Sequence, residues 1–323
     1  MLLRKIIRNT LPVDVVTVIY CLITGIFIIF GFFRVEFALL HLLFRLGVFA
    51  LIFLFIVADQ NLKKPFIRFL RNFYPLGLFA FFYAETDALN NIIFHTDLDQ
   101  YIVNLEETLF GGQPSIWFYQ YFPWTWFNEL MNAAYFSFYI LIFLLCFWVY
   151  KKNEAEGRFS IFIICSSFYF YYILFILFPV VGPQFYFEPP YNHVPDAYIF
   201  RDIMKFIDSV GERPTAAFPS SHVGIICILW YLAYKYAKPL LKWYIPIGIA
   251  LFFSTVYIKA HYVIDVIAGI LSAPTIYWMS RGLFNDFESS LNNSKTIFGF
   301  IRKVLERFRQ RIPIINNLEQ TKK

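Results

Sequence analysis

"FPSSHVGIICILWYLAYK", Phe218 to Lys235, joins two kinds of sequence in one stretch. From Val223 to Tyr234 it carries no charge, and it reads as a helix across a bilayer. Just before that run stand Pro219, Ser220, Ser221 and His222. Hydroxyls and an imidazole cost free energy in lipid unless they have partners or face water. They therefore either cap the helix or form part of a site.

The rest of the chain repeats the apolar theme. Of 323 residues, 59% are hydrophobic, 22% aromatic and only 15% charged. That composition excludes an ordinary soluble domain and predicts an all-α integral membrane protein. Spans of about 20 residues are read at 13–33, 36–57, 130–150, 159–178, 220–237, 241–259 and 262–280. A shorter run, "FYPLGLFAFFYA" (73–84), is long enough only for a partial span or a dip into the membrane. The four cysteines, Cys21, Cys146, Cys165 and Cys227, sit in apolar runs without metal-ligand spacing and read as buried thiols.

Positive charge settles the short run. The net charge is +6, and most Lys and Arg residues cluster at 4–8, 63–71, 151–158, 235–242 and 281–323. Between Arg71 and Lys151 there is none, and that interval carries Glu85, Asp87, Asp97, Asp99, Glu106, Glu107 and Glu129. The positive-inside rule makes the clusters cytoplasmic and the acidic interval external. The chain must then cross between Arg71 and Glu85. Eight crossings follow, with both termini cytoplasmic and the loops 85–129 and 179–219 outside. The basic excess is thus a matter of topology, and no nucleic-acid partner is expected. The segment "GGQPSIWFYQYFPWTWF" (111–127) suits the outer interface. The tail "KTIFGFIRKVLERFRQR" (295–311) reads as a helix on the cytoplasmic membrane surface or as a solvated basic tail. The implied organisation is an N-terminal helical pair (1–62), a membrane core (63–282) and a basic tail (283–323).

Histidine placement points to chemistry. His41 lies four residues before Arg45 inside a span and reads as part of a structural contact between helices. His95 and His193 fall in outer loops and read as solvent-facing. His222 and His261 each open a span on the outer face. In "HYVID" (261–265), Asp265 shares a helical face with His261. A carboxylate there can fix the imidazole tautomer and leave the other nitrogen free as a base or nucleophile; otherwise the pair simply caps a helix. At "PSSH" the free N–H groups of a helix start favour an anion such as phosphate.

Together the two motifs resemble the type 2 phosphatidic acid phosphatase superfamily, which carries "PSGH" at one helix start and "SRxxxxxHxxxD" two helices later. Here they stand as "PSSH" (219–222) and "STVYIKAHYVID" (254–265), with Ser254, His261 and Asp265 in register. The likeness covers roughly residues 66–280 and looks closest to the inositol phosphorylceramide synthase-like branch. "FPVVGPQF" (178–185) and "EETLFGGQPS" (106–115) also look like that branch. The resemblance implies a six-helix core preceded by two extra helices. It also implies a nucleophilic His261 that forms a phospho-histidine, an orienting Asp265 and a proton-donating His222. Ser220, Ser221 and backbone N–H groups would hold phosphate oxygens, with no metal or other cofactor. The chain departs from the phosphatases at Thr255, where they carry Arg, and at Lys205 and Arg213–Pro214, spaced one residue wider than their "KxxxxxxRP". Arg213, Lys259, Lys205 and Arg201 are the candidate cations, with Arg213 favoured for its nearness to "PSSH". The expected substrate is a phospholipid or lipid phosphate, with hydrolysis and transfer to an acceptor alcohol equally open. The competing reading is a non-catalytic multi-pass membrane protein for lipid transport or scaffolding.

Overall fold

The structure, a computed structural model, describes residues 9–293 except His193, Pro195 and Glu212, with side chains to residue 290. The basic cluster 4–8, His193 and the tail from 294 lie outside the described residues. The described chain is a bundle of helices: α1 (Pro12–Phe30), α2 (Ala38–Leu62), α3 (Pro65–Gly77), α4 (Phe79–Asn90), α5 (Asp99–Phe110), α6 (Pro114–Tyr121), α7 (Thr125–Lys152), α8 (Glu154–Leu177), the single turn α9 (Pro183–Tyr186), α10 (Ile199–Gly211), α11 (Ser221–Tyr236), α12 (Leu241–Tyr257) and α13 (Val263–Asn293).

Among the described residues six helices are long and apolar enough to cross a membrane, which makes this a multi-pass membrane protein. They are α1, α2, α7, α8, α12 with the short turn before it, and α13. Two of the eight expected crossings therefore fall short by length, each for a physical reason. α11 has 16 residues, roughly 24 Å at the rise of an α-helix. The run 65–90 is split, because Pro75 stands inside α3 and the chain restarts as α4 after Leu78. Proline lacks the N–H that would bond one turn back, and its ring crowds that turn.

α8 is the central post. It is buried over most of its length, and α1, α4, α7, α11 and α13 pack around it. α2 lies outermost and leaves Leu39, Leu46 and Leu54 about 60% exposed. An apolar surface of that kind belongs against lipid. Several charged groups inside the bundle are paired. Arg45 of α2 donates through both terminal nitrogens to Glu85 of α4, at 2.8 and 2.9 Å, and His41 Nδ1 stands 2.7 Å from the same carboxylate. This is the helix-to-helix contact expected of His41 and Arg45. Arg71 binds Asp14 and Asp59 near the other end. The four cysteines are free thiols, three of them buried.

The acidic interval 85–129 is more ordered than a loop. α4 continues to Asn90, and two further helices follow, α5 and α6. These cover the end of the bundle at which α11 and α13 begin.

Candidate active site

α11 opens in the ordinary way for a capped helix. Ser220 is extended (φ −60°, ψ 107°), and its hydroxyl accepts from the N–H of Val223. The Ser220 N–H donates to the backbone oxygen of Asp265, which ties this start to the first turn of α13. A side chain at Gly269 would meet the Ser220 carbonyl at 2.6 Å, so glycine there lets the two helices approach. The consequence is that His222 and His261, 39 residues apart, meet: His222 Nδ1 lies 3.2 Å from His261 Nε2.

The protons on these rings follow from their partners. His261 Nδ1 is 2.8 Å from the backbone oxygen of Ala217. A carbonyl only accepts, so Nδ1 carries the hydrogen. The neutral ring then has a lone pair on Nε2, and His222 Nδ1–H donates to it. Burial holds the His261 pKa down at about 4, although the Ala217 bond pulls it the other way. At neutral pH Nε2 is therefore unprotonated, with an N–H aimed at its lone pair.

Asp265 is close but does not make the expected bond. Its Oδ2 is 3.6 Å from His261 Nδ1, too far for a hydrogen bond, and accepts instead from the Tyr262 N–H at 2.8 Å. Oδ1 is buried and has no hydrogen-bond partner among the described residues. The orienting acceptor is a backbone carbonyl, and Asp265 contributes its proximity.

Two buried carboxylates from α5 hold this arrangement, and neither belongs to "PSSH" or "HYVID". Asp99 accepts from the N–H groups of Val181 and Gly182 at 2.8 and 2.9 Å and from the Tyr262 hydroxyl at 2.9 Å. Val180, next in that loop, accepts from the N–H of Ala217, whose own oxygen takes His261 Nδ1. Gly182 sits at φ +92°, where a side chain would meet the Ala260 carbonyl at 2.9 Å. Glu106 Oε1 accepts from the N–H groups of Val263 and Ile264, capping α13. Burial raises both acids, Glu106 to about 7. The only sequence hint was "FPVVGPQF" and "EETLFGGQPS", which contain Val180–Gly182 and Glu106.

The candidate cations separate by burial. Lys259 is 2% exposed, sits two residues before His261 at φ +65° and lies over the Tyr119 ring. Desolvation lowers its pKa to about 8. Arg213 is exposed and acts on Asp87. Lys205 pairs with Asp196, and Arg201 with the Val194 carbonyl and Asp208. Ser221 is buried beside His222. The His222 ring lies against Tyr135 and Phe138, at centroid distances of 4.6 and 4.5 Å. Behind it extends a cavity of about 540 Å³ lined mainly by apolar and aromatic side chains.

No curated protein and no solved structure matches the chain. Residues 100–279, more than half of its length, match the PAP2 superfamily. That interval contains "PSSH", "HYVID", both histidines and Glu106, with Asp99 one residue before it, and on this match the chain belongs to the PAP2 superfamily.

Proposed function

We propose that this protein transfers the phosphoryl-containing group of a lipid phosphoester through a phospho-histidine on His261. The reading rests chiefly on one observation, the 3.2 Å contact between His222 Nδ1 and His261 Nε2, with the His261 tautomer fixed by Ala217. The His261 Nε2 lone pair attacks phosphorus. The negative charge of the bound phosphate favours a second proton on His222; the N–P bond forms as the P–O bond to the lipid alcohol breaks, and the departing oxygen takes one proton from that imidazolium, leaving a neutral ring. An acceptor hydroxyl, from water or a second alcohol, then gives its proton to His222 and attacks phosphorus, which breaks the N–P bond. As Nε2 gives up its lone pair the ring becomes cationic. The Ala217 carbonyl and the Asp265 carboxylate at 3.6 Å stabilise that charge.

Phosphate oxygens are held by Ser221, by Ser220 and the N–H groups at the start of α11, and by Lys259. Lys259 serves better than Arg213 because it is buried beside His261. Charge clustering supports cytoplasmic termini and a site on the opposite face. The short motifs favour an inositol phosphorylceramide synthase-like branch, in which the acceptor is another lipid alcohol.

Purified full-length protein given headgroup-labelled phospholipid, with and without an acceptor alcohol, separates hydrolysis from transfer. His261→Ala and His222→Ala each remove turnover while the protein still inserts and unfolds cooperatively. Full activity in His261→Ala would sink the mechanism, and absence of turnover in the wild type with every phosphoester would favour the transport or scaffold reading.

A further inference from the structure

The cavity behind His222 is built partly by a segment outside the family match. Residues 100–279 supply the histidines and the walls from α7, α8 and α10, whereas Phe73 to Tyr83 of α3 and α4 supply the remaining wall. The break after Pro75 opens this space, and the small residues Gly77 and Ala80 line it. Other lining side chains include Phe79, Phe138, Phe168 and Tyr172, with Ser221 and His222 also in the wall. Four lining residues, Gly77, Ala80, Tyr139 and Phe143, are exposed, so the cavity is not sealed along these helices. In a membrane protein, an apolar rim of that kind opens sideways toward lipid tails.

We propose that this cavity holds one hydrocarbon chain of the substrate, entering laterally between α3–α4 and α7, and that the chain carries the alcohol which His222 protonates. The wall from Phe73 to Tyr83 then sets chain-length preference. This inference rests on the reading of the histidine pair as a phosphoryl-transfer site. Volume is sufficient for a long chain: at roughly 30 Å³ for a group the size of a water molecule or a methylene, about 540 Å³ takes at least one chain of about 16 to 18 carbons. Chemistry agrees: the ring faces of His222 lie against cavity aromatics while its Nδ1 edge points to His261. A chain in the cavity therefore arrives on the leaving-group side of the attacked phosphorus.

Gly77 and Gly211 provide the test, because a Cβ at either position meets no neighbouring atom within 4 Å and both line the cavity. Gly77→Phe and Gly211→Phe add bulk to it from two different helices, α3 and α10. The full-length protein, in detergent, is assayed with alkyl phosphoesters of increasing chain length and labelled with a hexadecyl phosphate bearing a diazirine at its chain end. In the wild type, kcat/KM rises on the order of fourfold per added methylene before reaching a plateau. Each variant lowers the hexadecyl-to-butyl ratio of kcat/KM by at least about tenfold, and the photolabel falls on peptides containing Phe73–Tyr83, Phe138–Phe143 or Phe168–Tyr172. An unchanged ratio in both variants, or labelling confined to other segments, overturns the chain site. If no phosphoester turns over yet the label maps to the cavity and is lost in Gly77→Phe, the chain site stands and the phosphoryl-transfer reading fails.

Discussion

Asp99 and Tyr262 meet at 2.9 Å, the phenol hydroxyl donating to Oδ1 of a carboxylate that already holds the N–H groups of Val181 and Gly182. The contact joins residues 163 positions apart and locks two loops around His261. Through Val180 and Ala217 it reaches the carbonyl oxygen that fixes the His261 tautomer. An asparagine at 99 has one acceptor oxygen for three donors. Asp99→Asn is expected to lower kcat by about 10- to 100-fold with little change in KM, since displacing a reacting group by about an ångström costs that much. Tyr262→Phe, which removes one donor of the three, costs less. Nitrogen NMR of His261 checks the cause: the variant loses the single Nδ1–H tautomer, which general loosening of the fold elsewhere does not produce.

Lys259 should set the alkaline limit of activity. Its pKa is lowered to about 8 by burial, so it is charged below that value and neutral above it. If the ammonium holds phosphate, kcat/KM falls as pH rises through about 8. Lys259→Arg moves the limit beyond about pH 10, because a guanidinium keeps its charge. Lys259→Met removes the limit and lowers kcat/KM by on the order of 10²-fold. A limb that stays near pH 8 in the arginine variant assigns the titration to another group.

Some of this architecture was legible in sequence because its signals are local. Apolar runs, the Lys and Arg clusters, and the i, i+4 spacing of His41–Arg45 and His261–Asp265 are all read within a few residues. The split crossing was harder. Pro75 is visible, but the continuation of α4 to Asn90 depends on Glu85, Thr86 and Asn90 finding partners on Arg45 and Thr215. The site was half legible. Two motifs named the histidines, whereas the acceptor that orients His261 is a backbone oxygen and carries no side-chain signature. Asp99 and Glu106 looked like ordinary members of an acidic surface interval because their donors lie over 80 residues away. Arg213 was favoured on nearness in sequence, while burial singles out Lys259.

The Arg45–Glu85 pair predicts a stability pattern. Arg45 is 4% exposed and also donates to the Cys21 carbonyl and Thr24. Removing one partner leaves a buried charge, which costs about 3–5 kcal/mol. Arg45→Met and Glu85→Met should each destabilise by that order, and the double variant should recover most of the loss. Thermal unfolding in detergent, followed by tryptophan fluorescence, measures all three. Additive losses in the double variant would falsify the pairing as the source of the effect.

Glu106 predicts a pH dependence of stability that is separate from catalysis. Burial raises its pKa from 4.5 to about 7 in the folded protein. A group with a raised folded-state pKa contributes stability that is present in full below its unfolded value and is lost as pH rises through the folded value. Wild-type Tm should therefore decline between about pH 5 and about pH 8, by about 2–4 °C for each kcal/mol lost. Glu106→Gln isolates the effect. Oε1 accepts both α13 N–H bonds, and Oε2 has no hydrogen-bond partner among the described residues. Glutamine therefore keeps the cap and sets its NH2 group where Oε2 stood. Across that range the variant should lose less Tm than the wild type. Parallel Tm curves for the two proteins would place the proton on another group and leave Glu106 ionised under α13 throughout.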